Sequence, residues 1–233
     1  MTTTRATARS IGVLYLLTML PAPLNLMYLP SRFIVPGDAA ATAHNISTGE
    51  LTYRLLTLSG LVSNILFIFL VLSLYNLFKD VDRKQARLMA MLVGVSVAIC
   101  LINLLNELAP LILLSGADYL AAFSKPQLDA LAFGFLRLRG TGLGIATAFW
   151  GLWLLPFGIL VIKSGFIPKL IGGLLIVGCF GYLAQSVTSI IWPAYVHTVF
   201  TATLPLVGPG ELGVIIWLLV KGAKVPLPEA ARA

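Results

Sequence analysis

"LVSNILFIFLVLSLYNLFKDVDRKQARLMAMLVGVSVAICLINLL" (residues 61–105) joins two apolar runs through the short charged insert "FKDVDRKQAR" (78–87). A helix rises 1.5 Å per residue, so about 20 apolar residues cross a hydrocarbon core. Extended to 53–77 and 88–114, both runs pass that length. So short a connection makes the two spans antiparallel neighbours. The chain is therefore read as a membrane helix bundle.

The rest of the sequence agrees. Of its 233 residues 58% are hydrophobic and 11% charged, with a mean hydropathy of +0.95. A soluble domain carries about a quarter charged residues. Four further apolar runs, at 10–29, 131–162, 168–191 and 196–220, complete six predicted spans. The expectation is an all-α, polytopic bundle over 1–233, a single transmembrane domain with no soluble domain.

The net charge of +7 does not point to nucleic acid, because its placement follows topology. Arg5, Arg9, Lys79, Arg83, Lys84, Arg87, Lys163, Lys169, Lys221, Lys224 and Arg232 fall on one side of the six-span arrangement. Arg32, Arg54, Lys125, Arg137 and Arg139 fall on the other or on its flanks. The positive-inside rule then places both termini in the cytoplasm. "IGVLYLLTML" after Arg5 and Arg9 could be a signal peptide, but no small-x-small cleavage site follows, and a retained span is the preferred reading. Cys100 and Cys179 lie inside spans and imply no disulfide framework. The sequon Asn45-Ile46-Ser47 would matter only in a secretory pathway.

Local signals mark the connections. Gly37-Asp38 is a turn signal, and Asp38 is a predicted cap for a short interfacial helix over "DAAATAHNI". Ser124 before Lys125-Pro126 predicts a helix start. A helix from there to Lys163 exceeds what a bilayer needs, so either its first turns project outside or it breaks near Gly140. "GTGLG" (140–144) offers Gly140 and Gly144 at the spacing of close helix contact. "LPAPLN" (20–25) should interrupt the first span, and "LPLVGPGE" (204–211) should break the last one at Pro205–Pro209. Two interrupted helices near opposite ends also suit an inverted repeat, although internal similarity is poor.

Ionisable residues at depth carry the functional reading. Glu211 lies ten residues before Lys221, roughly 15 Å into the bilayer. A break at Pro205–Pro209 would leave it at the start of a half-helix, where it either caps bare N–H groups or binds a cation, proton or polar ligand. Glu107, in "INLLNELAP" (102–110), is expected near the outer mouth, within reach of Arg139 or Arg137. Those arginines could instead snorkel to headgroups. Asn25, Asn64, Asn103, Asn106 and Gln185 add polar groups in the middle or outer half. Together with the two glutamates they suggest a polar cavity opening outward. Its ligand-binding candidates are Glu211, Glu107, Asn103, Asn106 and Gln185. His44 and His197 lack further donors at ligand spacing, so no metal and no cofactor is expected. No zinc-protease, nucleophile-elbow or phosphate-loop motif is present in the sequence.

"FWGLWLLPFGILVIKSGFIPKLIGGLLIVGCFGYLAQS" (149–186), followed by "GPGELGVIIWLLVKG" (208–222) and preceded by "GDAAATAHNI" (37–46), resembles the family called domain of unknown function 4386. The resemblance implies a bacterial multi-span inner-membrane protein, makes Glu211 part of the family pattern, and supplies no reaction. Small-molecule or ion binding, or transport, around Glu211 is the leading functional expectation. The alternatives are an intramembrane enzyme using Glu211 as an acid on a lipid or isoprenoid, and a non-catalytic partner or sensor subunit. The expected partners are the lipid bilayer and a small-molecule, ion or lipid ligand.

Overall fold

A computed structural model of the chain describes residues 5–222; Lys224 and Arg232 of the charge count lie outside them. Every regular element among the described residues is helical. The α-helices are α1 (Arg5–Met19), α2 (Leu29–Phe33), α3 (Ala39–Thr48), α4 (Glu50–Phe78), α5 (Arg83–Leu113), α6 (Lys125–Leu152), α7 (Leu154–Ser164), α8 (Lys169–Ile191) and α9 (Val196–Val220). Six helical stretches are long and apolar enough to cross a membrane: Ala6–Phe33, Glu50–Phe78, Arg83–Leu113, Lys125–Ser164, Lys169–Ile191 and Pro193–Val220. The chain is a polytopic all-α bundle.

The helix ends follow local chemistry. Asp38 accepts from the Ala41 N–H and caps α3. Asp82 accepts from the N–H groups of Lys84 and Gln85 and starts α5. Gln127 Oε1 accepts from the Ser124 N–H at 2.8 Å, closing a capping box at the start of α6. Gly165, at φ 70°, ends α7 in the left-handed conformation that glycine adopts without a Cβ penalty.

The spans close into a ring. α1 packs on α4, α4 on α5, α5 on α6, α6 on α8, α8 on α9, and α9 returns to α1. The two ends of the described chain therefore share one face, where Arg9 Nη2 donates to Val220 O at 3.4 Å. This is called the terminal face below, and the opposite one, covered by α3, the distal face.

Apolar residues fill the half of the ring nearer the terminal face. Trp153 stacks on Phe157 with centroids 5.1 Å apart, among Leu74, Phe78, Met89, Leu175 and Leu218. A smaller cluster of Leu29, Phe33, Ile46, Tyr53 and Leu111 fills the distal end. Glycines set the tightest approaches. A Cβ on Gly158 would sit 2.6 Å from Gly172 O, and one on Gly210 2.7 Å from Leu175 N.

Three expectations need correction. α9 runs unbroken from Val196 to Val220 with Pro205 and Pro209 inside it, and the bend lies at the 3-10 turn Pro193–Tyr195 before it. Both prolines are exposed, on the side away from α8, while Val207, Gly210, Glu211 and Val214 face inward. Each proline withholds one helix hydrogen bond, and close packing of Gly210 on α8 holds the axis nonetheless. α6 also passes Gly140 intact; the fourth span is interrupted at Trp153, between α6 and α7. Finally, a Cβ on Gly140 would meet nothing within 4 Å, so the close contacts belong to Gly142, against Asn103, and to Gly144, against Ser189.

In the first span the interruption does fall at the quoted prolines. α1 ends at Met19, and a π-helical turn, Leu24–Tyr28, precedes α2. This turn shapes the polar cluster described next.

Candidate functional site

The π turn leaves a backbone acceptor free inside the bundle. The Leu29 N–H bonds Leu24 O across the wide turn, and the following residue, Pro30, has no N–H to offer Asn25 O. Arg139 supplies the missing donor: its Nη2 reaches Asn25 O at 2.8 Å and Asn25 Oδ1 at 3.2 Å.

The same guanidinium anchors Glu107. Arg139 Nε donates to Glu107 Oε2 at 2.5 Å, and Asn25 Nδ2 donates to Oε1 at 2.7 Å. Both charged side chains are buried. Tyr53 donates its hydroxyl to Glu107 O at 2.7 Å, and Asn103 Nδ2 donates to Arg139 O at 2.9 Å. One buried cluster thereby ties together the first four spans. Burying a charge is costly unless it is paired and hydrogen-bonded, and here every oxygen of the Glu107 carboxyl is met. Arg137 is exposed and forms no ion pair among the described residues. A nearby hydroxyl, that of Thr57, is buried with no hydrogen-bond partner among the described residues.

Glu211 belongs to a second cluster. It is 7% exposed on the inner face of α9. Tyr15 of α1 donates to Oε2 at 2.7 Å, and Tyr182 of α8 lies 3.4 Å from Oε1. Among the described residues it has no basic partner. The other buried acids differ in this respect, since Glu107 meets Arg139 and Asp129 meets Lys125. Glu211 is thus neither the cap of a half-helix nor a member of an ion pair; it is a mid-helix carboxyl held by phenols.

The five ligand-binding candidates therefore fall into three hydrogen-bonded groups. Glu107 and Asn103 belong to the Arg139 cluster, and Asn106 joins it through Asn103 Oδ1 at 2.9 Å. Glu211 meets the two tyrosines. Gln185 donates to Thr203 Oγ1 at 2.7 Å and clasps α8 to α9. Two cavities lie at the distal face, and Glu211 lines neither. His44 and His197 are both exposed, and no group of metal-binding side chains occurs among the described residues.

Sequence reasoning missed Tyr15 and Tyr182. A buried phenol in an apolar helix needs a partner for its hydroxyl, and Tyr15, Thr18 and Asn25 are the buried polar residues of the first span. That stripe was the available signal.

The family model described as domain of unknown function 4386 matches residues 10–222. The chain belongs to this family. The match takes in all six spans, both buried clusters and the α3 cover, so the whole bundle is the family's unit. Comparison with curated proteins and with solved structures gives no match.

Proposed function

We propose that this multi-pass membrane protein handles protons at Glu211, in a bacterial plasma membrane with both termini in the cytoplasm. The observation that carries the reading is a buried carboxyl, ten residues from Lys221 on α9, held by two phenols and by no cation among the described residues. An ionisable group at that depth is costly and is a functional candidate by default. Unlike Glu107, its presence is not explained by a countercharge. Close packing around it favours the smallest cargo: a Cβ on Gly210 would strike α8, and one on Gly181 would sit 2.8 Å from Val207. A proton fits there without rearrangement, whereas a larger solute would need the helices to part.

The test is a flux assay. Protein is reconstituted into liposomes containing a pH-sensitive dye, and a potassium diffusion potential is imposed. Wild type should show a potential-driven internal pH change that Glu211→Gln abolishes while its melting temperature stays close to wild type. A wild-type signal equal to that of empty liposomes would sink the reading. Reporter fusions after Lys84 and after Lys221 test the orientation, and both should report the cytoplasm.

One observation favours a second reading. Glu211 joins α1, α8 and α9, so it could serve only as a clasp in a non-catalytic partner subunit. Glu211→Gln would then change melting and leave no flux to lose. The enzymatic alternative needs Glu211 to reach a lipid chain, and its burial beneath two phenols speaks against that.

A further inference from the structure

At the distal face, two adjoining cavities of about 330 and 410 Å³ share Arg54 and Ser115. The first is lined also by Ser47 and Glu50, the second by Leu108 and Ile112. Together they form a groove that is polar at its upper end and apolar along α5. Arg54 and Glu50, one turn apart on α4, make an ion pair that is half exposed. Arg54 Nε and Nη2 both turn to the same carboxylate oxygen, Oε1, at 2.8 and 2.7 Å. Arg54 Nη1 and Glu50 Oε2 have no protein partner among the described residues. The pair therefore presents one free donor and one free acceptor side by side, at the end of a span where headgroups lie.

We propose that this groove binds a zwitterionic phospholipid whose headgroup ends in a primary amine. Its phosphate meets Arg54 Nη1 and the hydroxyls of Ser47 and Ser115. Its ammonium meets Glu50 Oε2, and one acyl chain runs along Leu108 and Ile112. Charge complementarity selects this occupant. A purely anionic headgroup would satisfy Arg54 and be repelled by Glu50, and a quaternary ammonium would bring Glu50 no N–H donor.

The experiment places the full-length protein in nanodiscs of equal phosphatidylethanolamine and phosphatidylcholine and measures co-retained lipid by native mass spectrometry after mild detergent extraction. Wild type should retain phosphatidylethanolamine in preference. Glu50→Gln should reduce that preference about two- to fivefold, the range an exposed ion pair supplies, and Arg54→Gln, which removes the phosphate donor common to both lipids, should lower the retention of both by a similar factor. Circular dichroism and melting of both variants check that the fold is kept. Equal retention of the two lipids, an unchanged preference in Glu50→Gln, or unchanged retention of both lipids in Arg54→Gln would overturn the proposal. So would stronger retention of phosphatidylglycerol in a parallel disc, which would mean that Glu50 takes no part. Displacement of the lipid by excess inorganic phosphate would assign the groove to free phosphate and also overturn it.

Discussion

Arg139 donates to the backbone oxygen of Asn25 at 2.8 Å, 114 residues away in sequence, and so completes a helix turn that Pro30 leaves short of a donor. The same guanidinium carries the charge that neutralises Glu107. One side chain thus satisfies a main-chain defect in the first span and a carboxylate in the third. The expected consequence is strong coupling between these positions. Glu107→Gln or Arg139→Gln alone leaves a buried charge unpaired and should cost about 3–5 kcal/mol. The double variant should cost less than the sum of the two, because neither charge remains. Thermal melts in detergent of the two single variants and the double read this directly. Arg137→Gln is the control and should shift melting little. Additive losses across the cycle would mean that the pair is uncoupled.

Outside the spans, Asp82 links the α4–α5 connection to the end of α7 by accepting from Lys163 Nζ at 2.7 Å. That hydrogen bond, followed by the one from the Gln85 N–H, holds the Asp82 carboxyl below its ordinary pKa. A carboxyl whose pKa is lowered by folding stabilises the native state above its unfolded pKa, and that contribution fades as pH falls through the folded value. The melting temperature should therefore drop on acidification below the ordinary aspartate range. Asp82→Asn should flatten that part of the profile, and Lys163→Gln should flatten it in the same pH window. A profile of unchanged shape in both variants would contradict the linkage. The pair is exposed, so the effect should also weaken with salt.

Gly210 and the two prolines of α9 should respond oppositely to substitution. Gly210→Ala puts a methyl 2.7 Å from the Leu175 backbone, which cannot yield as a flexible side chain would. A loss of about 1–3 kcal/mol is expected from overpacking. Pro205→Ala and Pro209→Ala each restore a helix hydrogen bond on the exposed side, so the protein should melt at or above the wild-type temperature. If either proline variant destabilised the fold as much as Gly210→Ala, α9 would not be the continuous helix described.

This contrast also shows what could be read from the sequence. Run length and hydropathy are local, and they determine the six spans. Caps are local too, which is why Asp38 and Ser124 could be placed from their immediate neighbours in the chain. The proline rule misled at 205–210, because it is silent on which side of the helix the rings face and what packs opposite. The interruption at Trp153 did leave a mark, in Pro156 three residues on, near the start of α7 where proline is tolerated. The burial of Glu211 could be inferred from its depth alone. Its partners could not, since Tyr15 is 196 residues away and no spacing rule connects them. Only closure of the ring between α1 and α9 brings the two together.

Proton handling at Glu211, as proposed, requires its carboxyl to exchange a proton inside the folded bundle. Infrared difference spectroscopy of the protein in lipid, titrated in pH, observes the carbonyl band of a protonated carboxyl directly. Wild type should show a band that appears and disappears reversibly with pH while the helical amide signal stays constant. Glu211→Gln should lack it, and Tyr15→Phe should shift its frequency by removing the hydrogen bond to Oε2. A wild-type spectrum with no titrating band assignable to Glu211 over the whole pH range in which the protein stays folded would contradict the account.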